Sequence, residues 1–424
     1  MVQPAEQSKS QETCRICGST KLFEYLNMGQ TPLANSYLRP EQLGTPEFKE
    51  ELALQVCTDC GLSQLTKVVS PDLMFRHYLY VSSTTETFRK HCVDLAKTAT
   101  AVAGCRESDW VLDVASNDGC LLSKFRELGM RVVGVDPAEN LAAEANKAGI
   151  PTLCAYWSPD TAETVMNRYG RPKVITATNV FAHVDDVHAF VRAVDRCLAP
   201  KGVFVIECPY AVDFIEKNEF DTAYHEHLSY IGVHPLLVLM ERHGLTVFNV
   251  EYFKDIHGGT IRAFVGRAGD YQPDPSVAQY LKREAAFGIK DVVRYEAFGK
   301  RVRANKHALV DLIGRLHADG KIVWAYGASA KGNTLMNYFG ISNRLVPVVI
   351  DDNPKKWGWY APGSQMRIAG IEELTRSKVD YLLLLAWNFE SEIRRRCAAA
   401  RYGGGFILPV PEARVIESTA EHHT

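Results

Sequence analysis

Six titratable side chains crowd the ten residues Asp221-Thr-Ala-Tyr-His-Glu-His-Leu-Ser-Tyr230. Such density is costly in a core, where each charge has to be desolvated or paired. Three roles fit it: a polar surface loop, a metal site built from His225 and His227 with Glu226, or an acid–base cluster. The acid–base reading is favoured, because no further ligand cluster accompanies the histidines. A histidine of unperturbed pKa near about 6.5 is also largely neutral near pH 7 and able to take a proton. A second chemical signal lies near the N-terminus, in Cys14-Arg-Ile-Cys17 and Cys57-Thr-Asp-Cys60, each followed directly by glycine. Paired C-x-x-C knuckles turn two thiolates each toward one tetrahedral ion, so Cys14, Cys17, Cys57 and Cys60 suit a closed structural zinc site, the bland alternative being four ordinary buried thiols. The other seven of the 11 cysteines are scattered singly, which is no disulfide framework.

These groups need a scaffold, and the stretch Val111 to Asp136 reads as strand, tight turn, helix, strand. Leu121, Leu122, Phe125 and Leu128 repeat at helical spacing, and Val132 to Val135 form a second buried strand ending in Asp136, where a nucleotide-binding fold places a carboxylate against ribose hydroxyls. Ala115 stands where the first glycine of G-x-G-x-x-G would be, so a dinucleotide pyrophosphate is disfavoured. Further strands at Val174 to Thr178 and Val203 to Glu207 alternate with helices over Asn140 to Ala148 and Val184 to Leu198, which predicts a parallel sheet covered on both faces. Ligands then lie at strand carboxyl ends, at Asp113 to Gly119, Asn179 to His183 and Glu207 to Tyr210.

Two connecting segments are ambiguous. Phe75 to His91 is rich in aromatic and hydroxyl groups, and fits either a linker whose Tyr78 and Tyr80 pack on neighbours or a segment whose phenol meets a ligand. Asp255 to Arg262 predicts a turn before a strand over Ile261 to Gly266, with His257 a capping or core histidine as easily as a ligand contact. Residues 270 to 318 carry the periodicity of long amphipathic helices. A second strand-turn-helix unit follows, with Lys321 to Tyr326 as strand and Gly327-Ala-Ser-Ala-Lys-Gly332-Asn-Thr334 as turn. It is not a P-loop, since Asn333 occupies the lysine position, yet amides at a helix N-terminus with Lys331 beside them suit a phosphate.

A chain of 424 residues exceeds one core and suits three domains. A net charge of −2 without basic runs gives no reason to expect a nucleic-acid partner. The N-terminus lacks the apolar core of a signal peptide, and the longest aliphatic run, around Leu382 to Leu385, is too short to span a bilayer. A cytoplasmic location, no membrane attachment and no obligate protein partner are expected.

Taken in order, CRICGSTKLFEYLNMGQTPLANSYL, ASNDG at Ala115 to Gly119, NVFAHVDD at Asn179 to Asp186, YHEHLSY at Tyr224 to Tyr230, HGGTIR at His257 to Arg262 and YGASAKGNT at Tyr326 to Thr334 together resemble the sugar C-methyltransferases over nearly the whole chain. Those enzymes use S-adenosylmethionine to methylate carbon 3 of nucleotide-linked 4-keto-6-deoxyhexoses in deoxysugar pathways. The resemblance implies an α/β protein with a zinc-binding N-terminal domain (1–74), a central Rossmann-like methyltransferase domain (75–268), and a C-terminal Rossmann-like α/β domain (269–424) that helps hold the sugar nucleotide. It implies His227 as base, Glu226 as its orienting or balancing charge, Tyr224 as donor to the developing oxyanion, His183 against the sugar, and Tyr78 closing over the cofactor. The cofactor set is Asp113, Ala115, Ser116, Asn117, Asp118, Gly119, Asp136, Asn179 and Val180. Ser329, Lys331, Gly332, Asn333 and His257 fall to the substrate. O- or N-methylation of another small molecule is the alternative.

Overall fold

The structure is a computed structural model, and it describes residues 7–75, 83, 86–256 and 258–417. Tyr78 and His257 therefore lie outside the described residues. The central sheet runs Leu245–Phe253, Thr260–Arg267, Val203–Pro209, Val174–Thr178, Trp110–Val114, Arg131–Asp136, Thr152–Cys154. Its last five strands are parallel, while Thr260–Arg267 is antiparallel to both of its neighbours. The chain order reverses between Trp110–Val114 and Val174–Thr178, and in an open parallel sheet that switch point opens a crevice at the strand carboxyl ends. Val111, Leu112, Val174, Ile175, Val203 and Phe204 are fully buried, as expected of strands covered on both faces.

The elements match the expected pattern closely, with physical reasons for the shifts. The helix expected over Val184 to Leu198 begins at Val187, because the Asp186 side chain caps it by accepting the Ala189 amide at 2.8 Å, and Phe181–His183 form a 3₁₀ turn before it. The long amphipathic stretch is two helices, Pro275–Phe287 and Val292–Ala318.

At the N-terminus, Leu22–Pro32, Lys49–Cys57 and Ser63–Leu65 form an antiparallel sheet whose fourth strand, Ser229–Tyr230, comes from the acid–base segment itself. The C-terminal sheet is ordered Arg367–Ala369, Val348–Ile350, Val323–Tyr326, Tyr381–Leu384, Gly405–Leu408, Arg414–Ile416, parallel except for its last strand. Tyr25, Leu26 and Met28 share one buried core with Tyr295, Phe298 and Val302 of the long helix and with Ala325 and Leu335 beyond it. The N-terminal sheet is thus packed into the C-terminal half.

Candidate active site and metal centre

The four knuckle cysteines converge. Their Sγ atoms all lie within 4.8 Å of one another, with Cys14 and Cys60 at 3.4 Å and Cys17 and Cys57 at 3.5 Å. Tetrahedral zinc–thiolate bonds of about 2.3 Å give Sγ separations near 3.8 Å, a value that the observed separations bracket, so the donor set fits zinc. Among the described residues it is the one group so arranged, and the His225–Glu226–His227 run makes no metal cluster there. Its side chains diverge: His225 Nε2 lies 3.2 Å from the Glu50 carbonyl, Glu226 accepts from Asn35, and His227 Nδ1 lies 2.8 Å from the Thr222 carbonyl.

That last contact fixes the chemistry of His227. A carbonyl can only accept, so the neutral ring carries its proton on Nδ1 and its lone pair on Nε2, the form a base requires. The Tyr224 ring lies 4.0 Å from the His227 ring and the His183 ring 4.9 Å on another side, with Phe75 stacked on His183 at 5.6 Å. Burial holds the His183 pKa down at about 4, so that ring stays neutral through the physiological range. Three expected site residues, His227, Tyr224 and His183, are therefore brought together, while the Glu226 carboxylate turns to Asn35.

The turn Ala115–Gly119 lies at the switch point. Ala115 (φ 58°), Asn117 (φ 53°) and Gly119 (φ 77°) are all left-handed, a rare run for non-glycine residues that the surrounding contacts hold in place. Asp136 ties it down by accepting the Asn117 and Ala138 amides, each at 2.8 Å. Burial raises the Asp136 pKa, partly offset by those two amides. A carboxylate has room for about four such bonds, so ribose hydroxyls can still be met. Asp118 Oδ2 accepts the Ser83 amide at 3.3 Å. Asp113 is buried, accepts the Thr176 hydroxyl at 2.6 Å, and is pushed up to about 7 by burial, with the Asp136 and Glu207 carboxylates adding to the shift. Ser116 Oγ and Asn179 Oδ1 are buried with no hydrogen-bond partner among the described residues. Asn179 is itself held left-handed at φ 56°, next to Val180. Orphaned acceptors and hydroxyls of this kind, at the carboxyl ends of adjacent strands, fit the polar groups of S-adenosylmethionine.

The C-terminal turn is occupied by contacts within the protein. Ser329 caps the helix Ala330–Phe339 by accepting the Gly332 amide at 3.1 Å, and a Cβ on Gly332 would stand 2.7 Å from Leu385 Cβ. Asn333 Nδ2 donates to the Ala34 carbonyl at 2.7 Å. Lys331 Nζ sits 4.9 Å over the Trp387 ring, buried and without a hydrogen bond among the described residues. It faces Asp221, whose Oδ2 accepts a hydrogen bond from the Trp387 indole N–H at 2.7 Å, and Glu219, which burial pushes up to about 7. The glycines of the HGGT motif have a related reason. Gly258 and Gly259 adopt φ 89° and 136°, and the carboxylates of Glu219 and Asp213 fill the space their side chains would take.

Sequence reasoning missed the groups that bind these parts together. Arg262 and His91 grip Glu207 from opposite elements, His91 Nε2 at 2.9 Å, and the two hold the Glu207 pKa below its ordinary value against burial. The strand pairing of Glu207 with Arg262 could have been found from the opposite charges of two adjacent strands. Asn35 and Trp387 gave no local signal.

A doubly wound sheet with an orphan-lined turn at its switch point, beside a histidine of defined tautomer, is the arrangement of an S-adenosylmethionine-dependent methyltransferase. Family models agree with this along the chain: a zinc binding domain over residues 14–75, a methyltransferase domain over 86–250, and a C-methyltransferase C-terminal domain over 255–411. The C-methyltransferase NovU of Streptomyces niveus is 36% identical over 409 residues, spanning 96% of this chain and 97% of that one. The chain belongs to this C-methyltransferase family. A ubiquinone biosynthesis O-methyltransferase from Methylobacterium is 33% identical over 98 residues, 22% of this chain and 38% of its own. A solved S-adenosylmethionine-dependent methyltransferase from Clostridium acetobutylicum aligns at 16% identity over 43% of this chain and 92% of that one, with a TM-score of 0.35. No helix among the described residues is long and apolar enough to cross a membrane.

Proposed function

We propose that the protein methylates carbon 3 of a nucleotide-linked 4-keto-6-deoxyhexose through an enolate, in deoxysugar biosynthesis. Carbon is a poor nucleophile until a proton alpha to a carbonyl is removed, so the site needs a base and a donor for the enolate oxygen. His227 takes the alpha proton at Nε2, and the Thr222 carbonyl steadies the imidazolium through Nδ1–H. Tyr224 donates to the oxygen that gains charge, Glu226 balances the imidazolium, and His183, neutral, contacts the sugar. When bound, S-adenosylmethionine supplies an electrophilic methyl group on sulfur. Asp113, Asp136, Asn179, Val180 and the Ala115–Gly119 turn hold that cofactor, and Tyr78 closes over it. Ser329, Lys331, Gly332 and Asn333, with His257, meet the sugar nucleotide. The three domains divide at about residues 74 and 268. The observation that carries this reading is the convergence of His227, Tyr224 and His183, with the His227 lone pair assigned to Nε2.

Incubation with S-adenosylmethionine and thymidine-diphosphate-linked 4-keto-6-deoxyglucose tests it. A product one methylene heavier, with the new methyl on carbon 3 by NMR, is the expected result. Both carbons 3 and 5 flank the ketone, so a methyl on carbon 5 would keep the chemistry and correct the position. A methyl on oxygen would overturn the enolate reading in favour of O-methylation.

A further inference from the structure

Glu226 is 3% exposed, and a carboxylate so buried needs donors to stay charged. One of them comes from far away in the chain: Asn35 Nδ2 donates to Glu226 Oε1 at 2.6 Å, from the segment that follows the strand Leu22–Pro32 of the zinc-binding domain. We propose that Asn35 is a positioning residue for the reaction, a side chain of the zinc-binding domain that orients the Glu226 carboxylate and keeps it ionised. The inference rests on the role given to Glu226 above.

Its neighbours explain why Asn35 can do this. The Ala34 carbonyl accepts from Asn333 at 2.7 Å, and the Tyr37 hydroxyl donates to the Ala328 carbonyl at 2.6 Å. Leu38 and Tyr360 exchange both backbone bonds, at 2.9 and 2.8 Å. Residues on either side of Asn35 are therefore pinned to the C-terminal domain, while Asn35 itself turns to the acid–base segment. That segment is in turn anchored to the N-terminal sheet through Ser229–Tyr230. An amide cannot titrate, and donation to a carboxylate favours its charged form. The Asn35 amide thus lowers the proton affinity of Glu226 and fixes its rotamer, and Glu226 carries both effects into the site.

The test measures kcat and KM for thymidine-diphosphate-linked 4-keto-6-deoxyglucose at saturating S-adenosylmethionine, from pH 5 to 9. It compares the wild type with Asn35→Ala, Asn35→Asp, Glu226→Gln and the Asn35→Ala/Glu226→Gln double variant. Asn35→Asp keeps the shape but replaces the donor by a like charge, so it serves even if Asn35→Ala weakens the segment. Both Asn35 variants are expected to lose about tenfold or more in kcat with KM within about twofold, and to move the acid limb of kcat/KM to higher pH. Asn35→Ala should add nothing to Glu226→Gln, because the two act as one unit. Wild-type kcat and acid limb in Asn35→Asp would overturn the proposal, as would a full, multiplicative loss when Asn35→Ala is added to Glu226→Gln. Wild-type kcat in Glu226→Gln would overturn the role of Glu226 first, and the positioning role with it.

Discussion

Asp113 and His183 titrate away from their ordinary ranges in ways that have readable consequences. Asp113, pushed up to about 7 by burial, holds a proton in the folded state that the unfolded chain releases near pH 4. The folded state binds more protons across that window, so its contribution to stability falls as pH rises from about 4 to about 7. A cationic cofactor favours the ionised carboxylate, so S-adenosylmethionine should bind about tenfold more tightly at pH 8 than at pH 6, with a proton released on binding. Calorimetry across that range checks this, and Asp113→Asn should bind more weakly and without the pH dependence. His183, depressed to about 4, runs the other way: stability is lost as pH falls below about 6.5, where the unfolded ring charges first. At this scale the sequence was partly legible. The crowding of titratable groups in the YHEHLSY run was visible from residue type alone, but the tautomer of His227 depends on the Thr222 carbonyl, which no residue type encodes.

Among the elements, the strand-turn-helix-strand unit was the most legible, because its apolar runs and helical spacing act locally: Trp110–Val114, Cys120–Glu127 and Arg131–Asp136 fall within a residue or two of expectation. Pro159–Tyr169 was overlooked although Ser158 and Pro159 form a helix start, the Ser158 hydroxyl accepting the Thr161 amide at 3.2 Å. Leu245–Phe253 was missed as well; its half-buried polar residues Thr246, Asn249 and Glu251 break the apolar run, and its pairing with Thr260–Arg267 is set by a hairpin rather than by composition. The position of the Ala115–Gly119 turn depends on one residue of the neighbouring strand. A Cβ on Gly134 would overlap Ser116 Oγ and stand 2.9 Å from both Ser116 Cβ and Thr152 Oγ1. Gly134→Ala should therefore cost about 1–3 kcal/mol of stability by denaturant unfolding and weaken S-adenosylmethionine binding. Unchanged affinity would mean that the turn does not touch the cofactor.

For the whole molecule, the zinc centre supports more than its own domain. The N-terminal sheet shares a core with the long helix Val292–Ala318, receives a strand from the acid–base segment, and lends Asn35 to Glu226. None of these long-range contacts was legible, since each joins segments far apart in sequence whose local patterns are ordinary. Because the four thiolates tie Cys14–Cys17 to Cys57–Cys60 across the N-terminal domain, removing the ion should loosen that domain first. Stripping zinc with a chelator is expected to raise hydrogen exchange in residues 14–65, lower the thermal midpoint by several degrees, and abolish turnover even though none of the four knuckle cysteines is among the proposed substrate residues. Zinc-free protein with full activity would contradict this coupling.

If His227 removes a proton from carbon, solvent exchange at the substrate's alpha carbon reports that step on its own, before any methyl moves. With thymidine-diphosphate-linked 4-keto-6-deoxyglucose in deuterated water, the wild-type protein should wash deuterium into the position alpha to the ketone. His227→Ala should slow that exchange, and methyl transfer with it, by about 10²–10⁴-fold while still binding S-adenosylmethionine. Exchange by His227→Ala at the wild-type rate would rule His227 out as the base.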